Sequence, residues 1–508
     1  MPPAPGTYVL GVDIGTQSTK ALLIDAGSGR IAAQHSHGYQ PDTPRPLWAE
    51  QHAAVWLDAV IACIAGCMAH AAVPPDEVAA LCVSSLYGGS GIPVDKAMQP
   101  LHPCLIWMDR RAEEEVAWVR ATIDQDRLFD ITGNGVDSYY GYTKMLWLQR
   151  HRPEVWSRTR YLLPPNAYVA HALTGELAVD HSSAGNIGGV YDMCARAWSD
   201  EMLGLLGIPR SMMPDRLVES SAQVGKLRAE WAGRTGLQAG TPVIAGGVDA
   251  AVATLAAGAT RQGQHVAMIG TSMCWGSIAQ TADARHGLIA MPHVLNGLRD
   301  LYVFGGAITA GASVSWFQGQ LGAALPLSTL DGEAGGIDAG SDGVMFLPYL
   351  MGERSPVWDG KASGAFVGLS LYHTRAHLYR AVLEGVTFAL RHNIEAGRRN
   401  LQALDDTLIV VGGAAHSDLW MQVAADITGY PVQTIEQNVE AALGAALLAG
   451  LGVGLVTPEQ AAAAGWVTLV PRARPNPAAR ATYDRLFDVY TGLYPALKDT
   501  MHRLRDGP

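Results

Sequence analysis

The stretch Tyr8-Val-Leu-Gly-Val-Asp-Ile-Gly-Thr-Gln-Ser-Thr-Lys-Ala-Leu-Leu-Ile-Asp25 decides the fold. Two apolar runs flank a turn of small hydroxyl residues, a pattern that predicts strand, Gly-Thr turn, strand. A second turn at Gly27-Ser28-Gly29 leads into a third strand from Arg30. The same grammar returns at Val266-Ala-Met-Ile-Gly-Thr-Ser-Met-Cys-Trp-Gly-Ser-Ile278. Two similar α/β halves are therefore expected, each opening with a β-hairpin. The boundary is expected near Gly246, giving an N-terminal domain over 1–245 and a C-terminal domain over 246–508.

Outward from the first hairpin, Ala49–Ala71 reads as a helix with Trp56, Val60 and Ile64 on one face. Val78–Ser84 reads as a short buried strand. Thr241-Pro-Val-Ile-Ala-Gly-Gly-Val-Asp249 reads as a strand entering a Gly-rich turn, with a helix over Ala250–Ala257. Leu408-Ile-Val-Val-Gly-Gly-Ala-Ala415 repeats strand and Gly turn. Ser417 is placed to cap the next helix, which Gly429 ends, with Leu419, Trp420, Val423, Ala424 and Ile427 on its buried face. Tyr483, Leu486, Phe487, Tyr490, Leu493 and Leu497 keep helical spacing near the C-terminus, with Pro495 expected to kink that helix.

With 508 residues, 48% of them hydrophobic, the chain has enough apolar material for large cores. Its formal net charge of -11 argues against a nucleic-acid surface, which needs a basic stripe. An acidic chain still accommodates an anionic small molecule where backbone amides, helix N-termini or a bound cation offset its charge. The six cysteines include no CxxC pair, and Cys63 and Cys67 share an Ala-rich helical stretch. Reduced thiols are expected rather than a zinc site. The N-terminus, Met-Pro-Pro-Ala-Pro-Gly-Thr, carries no signal-peptide pattern. The longest apolar stretch, Ala441–Val456, falls short of the ~18 residues of a spanning helix and reads as a buried helix. A soluble cytoplasmic protein with no membrane partner is expected.

Several segments could carry chemistry. In Asp13-Ile-Gly-Thr-Gln-Ser-Thr-Lys20, Gly15 permits a tight turn, Thr16, Ser18 and Thr19 offer hydroxyls, and Lys20 offers a cation. Asp13 at the strand end suits Mg²⁺, and the set suits the phosphates of ATP; an ordinary hairpin turn with a structural Asp is the competing reading. The turn is neither a Walker A loop nor a GxGxxG fingerprint. Gly270-Thr271-Ser272 offers a second hydroxyl-rich turn, one per half. Gly412-Gly413-Ala414 permits a flat nucleotide to approach the backbone, or is only a tight turn. Asp249, beside Gly246 and Gly247, is a candidate to accept a hydroxyl proton during phosphoryl transfer, or an N-cap. Asp109 in Trp107-Met-Asp-Arg-Arg111 either hydrogen-bonds substrate hydroxyls or caps the helix after it. Glu353 and Arg354 either face ligand or form a surface ion pair.

Eight segments in order resemble the FGGY carbohydrate kinase family, most closely its xylulose kinase group: Gly11-Val-Asp-Ile-Gly-Thr, Leu47-Trp-Ala-Glu-Gln51, Trp107-Met-Asp-Arg-Arg111, Gly246-Gly-Val-Asp249, Gly270-Thr-Ser272, Phe346-Leu-Pro-Tyr-Leu-Met-Gly-Glu-Arg-Ser-Pro356, Ala381-Val-Leu-Glu-Gly-Val386 and Gly412-Gly-Ala414. The resemblance runs from Tyr8 to about Gly450. It implies two actin-like (ribonuclease H-like) ATPase domains flanking a deep cleft where Mg-ATP and a small sugar meet. It assigns Gly15 and Thr16, with Gln17, Ser18 and Lys20 beside them, and Gly270, Thr271 and Ser272 to phosphates. Gly412, Gly413, Ala414 and Ser417 fall to the adenosine side, and Asp249 to the general base. Tyr87, Gly88, Gly89, Asp109, Arg110, Asp249 and Glu353 are the expected sugar contacts, and Asp13 the metal ligand. Relatives are often homodimers, although no segment here marks an interface.

Two departures bear on the substrate. D-xylulose kinases usually carry Gln-Met-His-Gly where this chain has Tyr87-Gly88-Gly89-Ser90, and Asn where it has Ala250. The run Asp109-Arg-Arg-Ala112 looks more like kinases of L-xylulose or related substrates. The sugar therefore stays open among xylulose, L-xylulose, ribulose, glycerol and tetritols. An actin-like chaperone would share the ATP motifs but needs a long peptide-binding C-terminal domain. A non-catalytic sugar-binding relative would lack Asp249.

Overall fold

The computed structural model describes residues 6–281, 285, 287–399, 403–436, 441–463 and 465–505. They form two packing units. Unit 1 comprises the chain to Thr260, Ile289–Tyr302 and Val439–Val467; unit 2 comprises Arg261–Leu288, Val303–Asn438 and the chain from Thr468. Division by packing thus follows no single cut near Gly246.

In unit 1 the main strands are β1 Tyr8–Ile14, β2 Ser18–Asp25, β3 Ile31–Gly38, β4 Val78–Ser85, β5 Gln223–Lys226 and β6 Pro242–Ile244. Their order is β5-β6-β4-β1-β2-β3. β1 pairs antiparallel with β2, the last pair being Ile14 with Thr19, and parallel with β4. Val9, Leu10, Val12 and Ile14 are all buried, the near-continuous apolar run of a strand covered on both faces. The helix Ala53–Ala71 covers one face, with Trp56, Val60 and Ile64 buried at the spacing the sequence predicts. It starts later than Ala49 because Glu50–Gln51 pairs as a short strand with Cys104–Leu105. Cys63 and Cys67 donate their thiols to the Thr19 and Ala21 carbonyls at 3.2 and 3.4 Å. Among the described residues this helix alone is long and apolar enough to cross a membrane, and its apolar face lies in this core.

The helix Ala441–Gly452 covers the other face. It comes so close that a Cβ at Gly11 would stand 2.0 Å from the Ala442 carbonyl oxygen. A Cβ at Gly444 would stand 2.1 Å from the Val252 carbonyl oxygen, in the helix Asp249–Ala256. The Gly- and Ala-rich run thus serves contact between backbones.

In unit 2 the main strands are β7 His265–Ile269, β8 Met273–Ala279, β9 Leu301–Ala307, β10 Leu408–Val411, β11 Val432–Ile435 and β12 Leu469–Ala473. They run β9-β8-β7-β10-β11-β12. β7 pairs antiparallel with β8, ending at Ile269 with Met273, and parallel with β10. β10 and β11 are parallel, and β12 closes antiparallel. The helix Arg375–Arg398, opened by a capping box of Thr374 and His377, forms the core of this unit. Ser417 caps Asp418–Thr428 through the Trp420 N–H, and Gly429 ends it in the left-handed region, both as the sequence predicts. The last helix, Pro477–Arg505, continues through Pro495.

Candidate active site

β6 delivers the chain to Ala245-Gly246-Gly247-Val248 and then to Asp249. Gly246 has φ +71°, and a Cβ there would stand 1.9 Å from the Val83 carbonyl oxygen, so the turn requires glycine. Val248 occupies the cap position and Asp249 is the first helical residue. Asp249 Oδ1 accepts from the Ala250 N–H at 2.6 Å, and the carboxylate is therefore not the N-cap. The side chain keeps a partly open surface although protein surrounds it closely. Burial, then the negative charge of Asp13, push its carboxyl above the ordinary range, with the Ala250 N–H opposing. The open surface tempers that push without reversing it.

Behind the turn lies a buried polar network that sequence reasoning missed. Asn166 Nδ2 donates to Asp180 Oδ1 at 2.9 Å and to the Ala245 carbonyl at 3.2 Å. Ser182 Oγ donates to Asp180 Oδ2 and accepts from the Val248 N–H at 3.1 Å. Ser85 N–H donates to the Gly247 carbonyl at 3.1 Å. These bonds fix the backbone that aims Asp249.

β4 runs on into Leu86-Tyr87-Gly88-Gly89. With Ser85, Gly91, Pro164, Ser183, Ile187 and Val248, these residues line a narrow, partly open recess. Tyr87 Oη accepts from the Gly141 N–H at 2.5 Å. Gly88 lies against Pro165, and Gly89 against the Leu105 carbonyl, with no room for a side chain at either. The pocket thus joins the expected sugar loop to the residue before Asp249.

The Trp107–Arg111 segment supplies a correction. Asp109, expected at the sugar, is 0% exposed. Its carboxylate accepts from the Ala49 N–H at 2.6 Å and from Arg111 N–H and Nε at 3.1 and 2.8 Å. Arg111 also pairs with Glu50 at 2.6 Å and stacks 3.7 Å over the Trp48 ring. An adjacent arginine drew the carboxylate inward. Arg110, partly exposed, pairs with Asp137. Lys144, unanticipated, is fully buried beneath this segment: Nζ donates to the carbonyls of Ile106, Tyr139 and Trp107 at 2.9, 3.0 and 3.4 Å. Burial pushes its ammonium down to about 7.

The first hydroxyl turn is closed by Gly15 N–H to the Ser18 carbonyl at 2.9 Å and braced by Tyr39, whose hydroxyl donates to the Gly15 carbonyl at 2.7 Å. Gln17 and Ser18 are exposed, and Gly15 and Thr16 partly so. Trp107 Nε1 donates to Thr16 Oγ1 at 3.0 Å. Lys20 stands cross-strand from Asp13, whose Oδ1 accepts from Ser84 Oγ at 2.8 Å.

In unit 2, Gly270, Thr271 and Ser272 form an open turn. The N-terminus of the helix Gly311–Gln320 abuts it: Ala310, Gly311 and Ala312 N–H groups donate to the Thr271, Gly270 and Thr271 carbonyls at 2.9, 2.8 and 3.0 Å. These N–H groups are taken up by the turn's own carbonyls, which fixes the turn and leaves the Thr271 and Ser272 hydroxyls as its open polar groups. Gly412 and Gly413 are exposed, while Ala414 is buried. Glu353 is buried: Oε1 accepts from Ile308 and Arg354 N–H at 3.0 and 2.7 Å, Oε2 has no hydrogen-bond partner among the described residues, and burial pushes the carboxyl up to about 8.

Unit 1 therefore brings together Asp13, the Gly15–Lys20 turn, the Tyr87–Gly89 loop, Arg110 and Asp249. Unit 2 carries Gly270–Ser272, Gly412–Ala414, Ser417 and Glu353. Comparison with known proteins gives this division its class. Residues 8–256 match the FGGY family of carbohydrate kinases, N-terminal domain, and residues 265–453 its C-terminal domain. A xylulose kinase of Lactococcus lactis subsp. lactis (strain IL1403) is 31% identical over 501 residues, covering 98% of each chain. The crystal structure of xylulose kinase from Rhodospirillum rubrum is 31% identical with TM-score 0.89, covering 97% of this chain and 100% of that one. Gluconate kinase from Lactobacillus acidophilus gives TM-score 0.90 at 26% identity, covering 98% and 99%. The chain belongs to the FGGY family of carbohydrate kinases. Its fold is the two-domain, actin-like α/β fold of that family, and it is an enzyme that phosphorylates a small sugar with ATP.

Proposed function

We propose that the chain phosphorylates a pentulose of the xylulose type, with Asp249 as general base. The observation that carries this reading is the pocket of Ser85–Gly89 and Val248, which sets the sugar loop beside Asp249. Relatives with xylulose kinase in their names favour the pentulose, and Gly88, Gly89 and Ala250 mark where specificity among related sugars would differ.

Tyr87, Gly88, Gly89, Arg110 and Glu353 are assigned to the sugar, while Asp109 shapes its loop through Arg111. The Gly15–Lys20 and Gly270–Ser272 turns take phosphates, and Gly412, Gly413, Ala414 and Ser417 the adenosine side. Asp249, with its carboxyl drawn upward toward neutrality, accepts the hydroxyl proton as that oxygen attacks the γ-phosphorus.

Mg²⁺ fits the donor set. Among the described residues no cluster of three His, Cys, Asp or Glu exists, but Mg²⁺ typically takes one or two carboxylates with substrate phosphates. The repulsion between Asp13 and Asp249 is what a cation there would relieve. Asp13, held by Ser84, would hold it, and the ion would neutralise phosphate charge. Six free cysteines, four of them buried, fit a reducing cytoplasm.

The test is ADP release with Mg-ATP across D-xylulose, L-xylulose, ribulose, gluconate, glycerol and tetritols. Preferred turnover of a pentulose is expected. Preferred turnover of gluconate or glycerol would overturn the substrate assignment.

A further inference from the structure

The Trp107 indole spans two parts of unit 1 that the reaction uses separately: the segment beside the sugar and the turn for phosphate. The residues it joins lie 91 positions apart, and the bond from Nε1 to Thr16 Oγ1 is 3.0 Å and partly buried. An indole N–H only donates. Thr16 Oγ1 is therefore the acceptor, and its own proton is directed to a different oxygen. Both ends of the bond are held. Tyr39 braces the turn through the Gly15 carbonyl at 2.7 Å and, by its backbone N–H, through the Gln17 carbonyl at 2.9 Å. Lys144 holds the other end through the carbonyls of Ile106 and Trp107, and ties both to Tyr139. The aliphatic stem of Lys144 also lies beneath Gly89: a Cβ there would stand 3.1 Å from Lys144 Cδ.

We propose that Trp107 is a positioning residue that orients the Thr16 hydroxyl, so that its proton faces the terminal phosphates of ATP and the phosphate turn is set by the sugar-side segment. The inference rests on the assignment of Thr16 to phosphate. A hydroxyl whose lone pair already accepts from an N–H is a preorganised donor, and a phosphate oxygen is the acceptor it suits. Backbone anchors at both ends mean that little further ordering is needed when nucleotide arrives.

The test is titration of a non-hydrolysable ATP analogue, with Mg²⁺ and without sugar, into the full chain. The variants are Trp107→Phe, Thr16→Val and the double variant, each checked for a native thermal transition. Each single change is expected to weaken binding by about three- to tenfold, the range of one hydrogen bond. The double variant should bind no more weakly than Thr16→Val, because both changes remove the same contact. Wild-type affinity in Thr16→Val would remove the phosphate assignment and the proposal with it. Weakened Thr16→Val with unchanged Trp107→Phe, or two effects that multiply in the double variant, would overturn the proposal and leave the assignment standing. If Trp107→Phe does not fold, the benzothienyl analogue of tryptophan at position 107 keeps the ring shape and drops only the N–H.

Discussion

The two units open alike and then diverge. In each, a hairpin ends in a hydroxyl turn, its first strand runs parallel to the next, and an antiparallel strand closes the edge. Asp13 precedes Ile14 at the end of β1; Met268 precedes Ile269 at the end of β7. Lys20 stands cross-strand from Asp13, but Cys274 stands cross-strand from Met268. After the first parallel strand, unit 1 forms the close-packed Tyr87–Gly89 loop and unit 2 the exposed Gly412–Gly413. The proposed roles divide along the same line. In unit 1, Asp13 and Asp249 repel one another, which suits the proposed cation site and proton acceptor. Unit 2 offers the backbone and hydroxyl groups that the proposal assigns to nucleotide.

The largest expected effect sits on the carboxylate side. Asp249→Asn should lower kcat by about 10² to 10⁴-fold while an ATP analogue still binds with wild-type affinity. Steady-state kinetics beside titration decide it; wild-type kcat would dissolve the contrast between the units.

Paired glycine changes sharpen the contrast. Gly246→Ala forces a side chain into a left-handed turn and against the Val83 carbonyl, and should destabilise by at least ~2 kcal/mol in urea unfolding. Gly413→Ala meets nothing within 4 Å, so its stability should change by less than ~0.5 kcal/mol while KM for ATP rises. Equal destabilisation would mean that both turns are structural.

Lys144 adds a dependence on pH confined to unit 1. Its folded-state value is about 7 against 10.5 for an ordinary lysine. Between those values the unfolded chain holds a proton that the folded one does not, so the stability from this site rises with pH across that window. In denaturant midpoints, wild type minus Lys144→Met should therefore grow from pH 7 to 10.5. A flat difference would show that burial does not disfavour the ammonium. Ser417→Ala bears on neither hairpin: it removes a cap at 3.0 Å and should cost about 1 kcal/mol in thermal unfolding.

The hairpins, the cap at Ser417 and the turn before Asp249 were legible because each is local: glycine spacing, alternation and cap chemistry lie within a few residues. The bonds that aim Asp249 were not, since Asn166 meets Ala245 across 79 positions and Ser182 meets Val248 across 66. Lys144 gave one signal, a cation inside the apolar run Thr143-Lys-Met-Leu-Trp147. Asp109 shows the opposite hazard. A carboxylate beside two arginines reads alike whether it serves a ligand or a buried ion pair, and only Trp48 and Glu50, brought in by the fold, decide for the pair.

The most direct test of the central claim follows the phosphorus. Purified protein with Mg-ATP and D-xylulose is monitored by phosphorus NMR. Proton acceptance in unit 1 coupled to phosphoryl transfer predicts ADP and a sugar monophosphate appearing in equal amounts, with negligible inorganic phosphate. ADP accompanied only by inorganic phosphate, at the same rate with and without sugar, would contradict it.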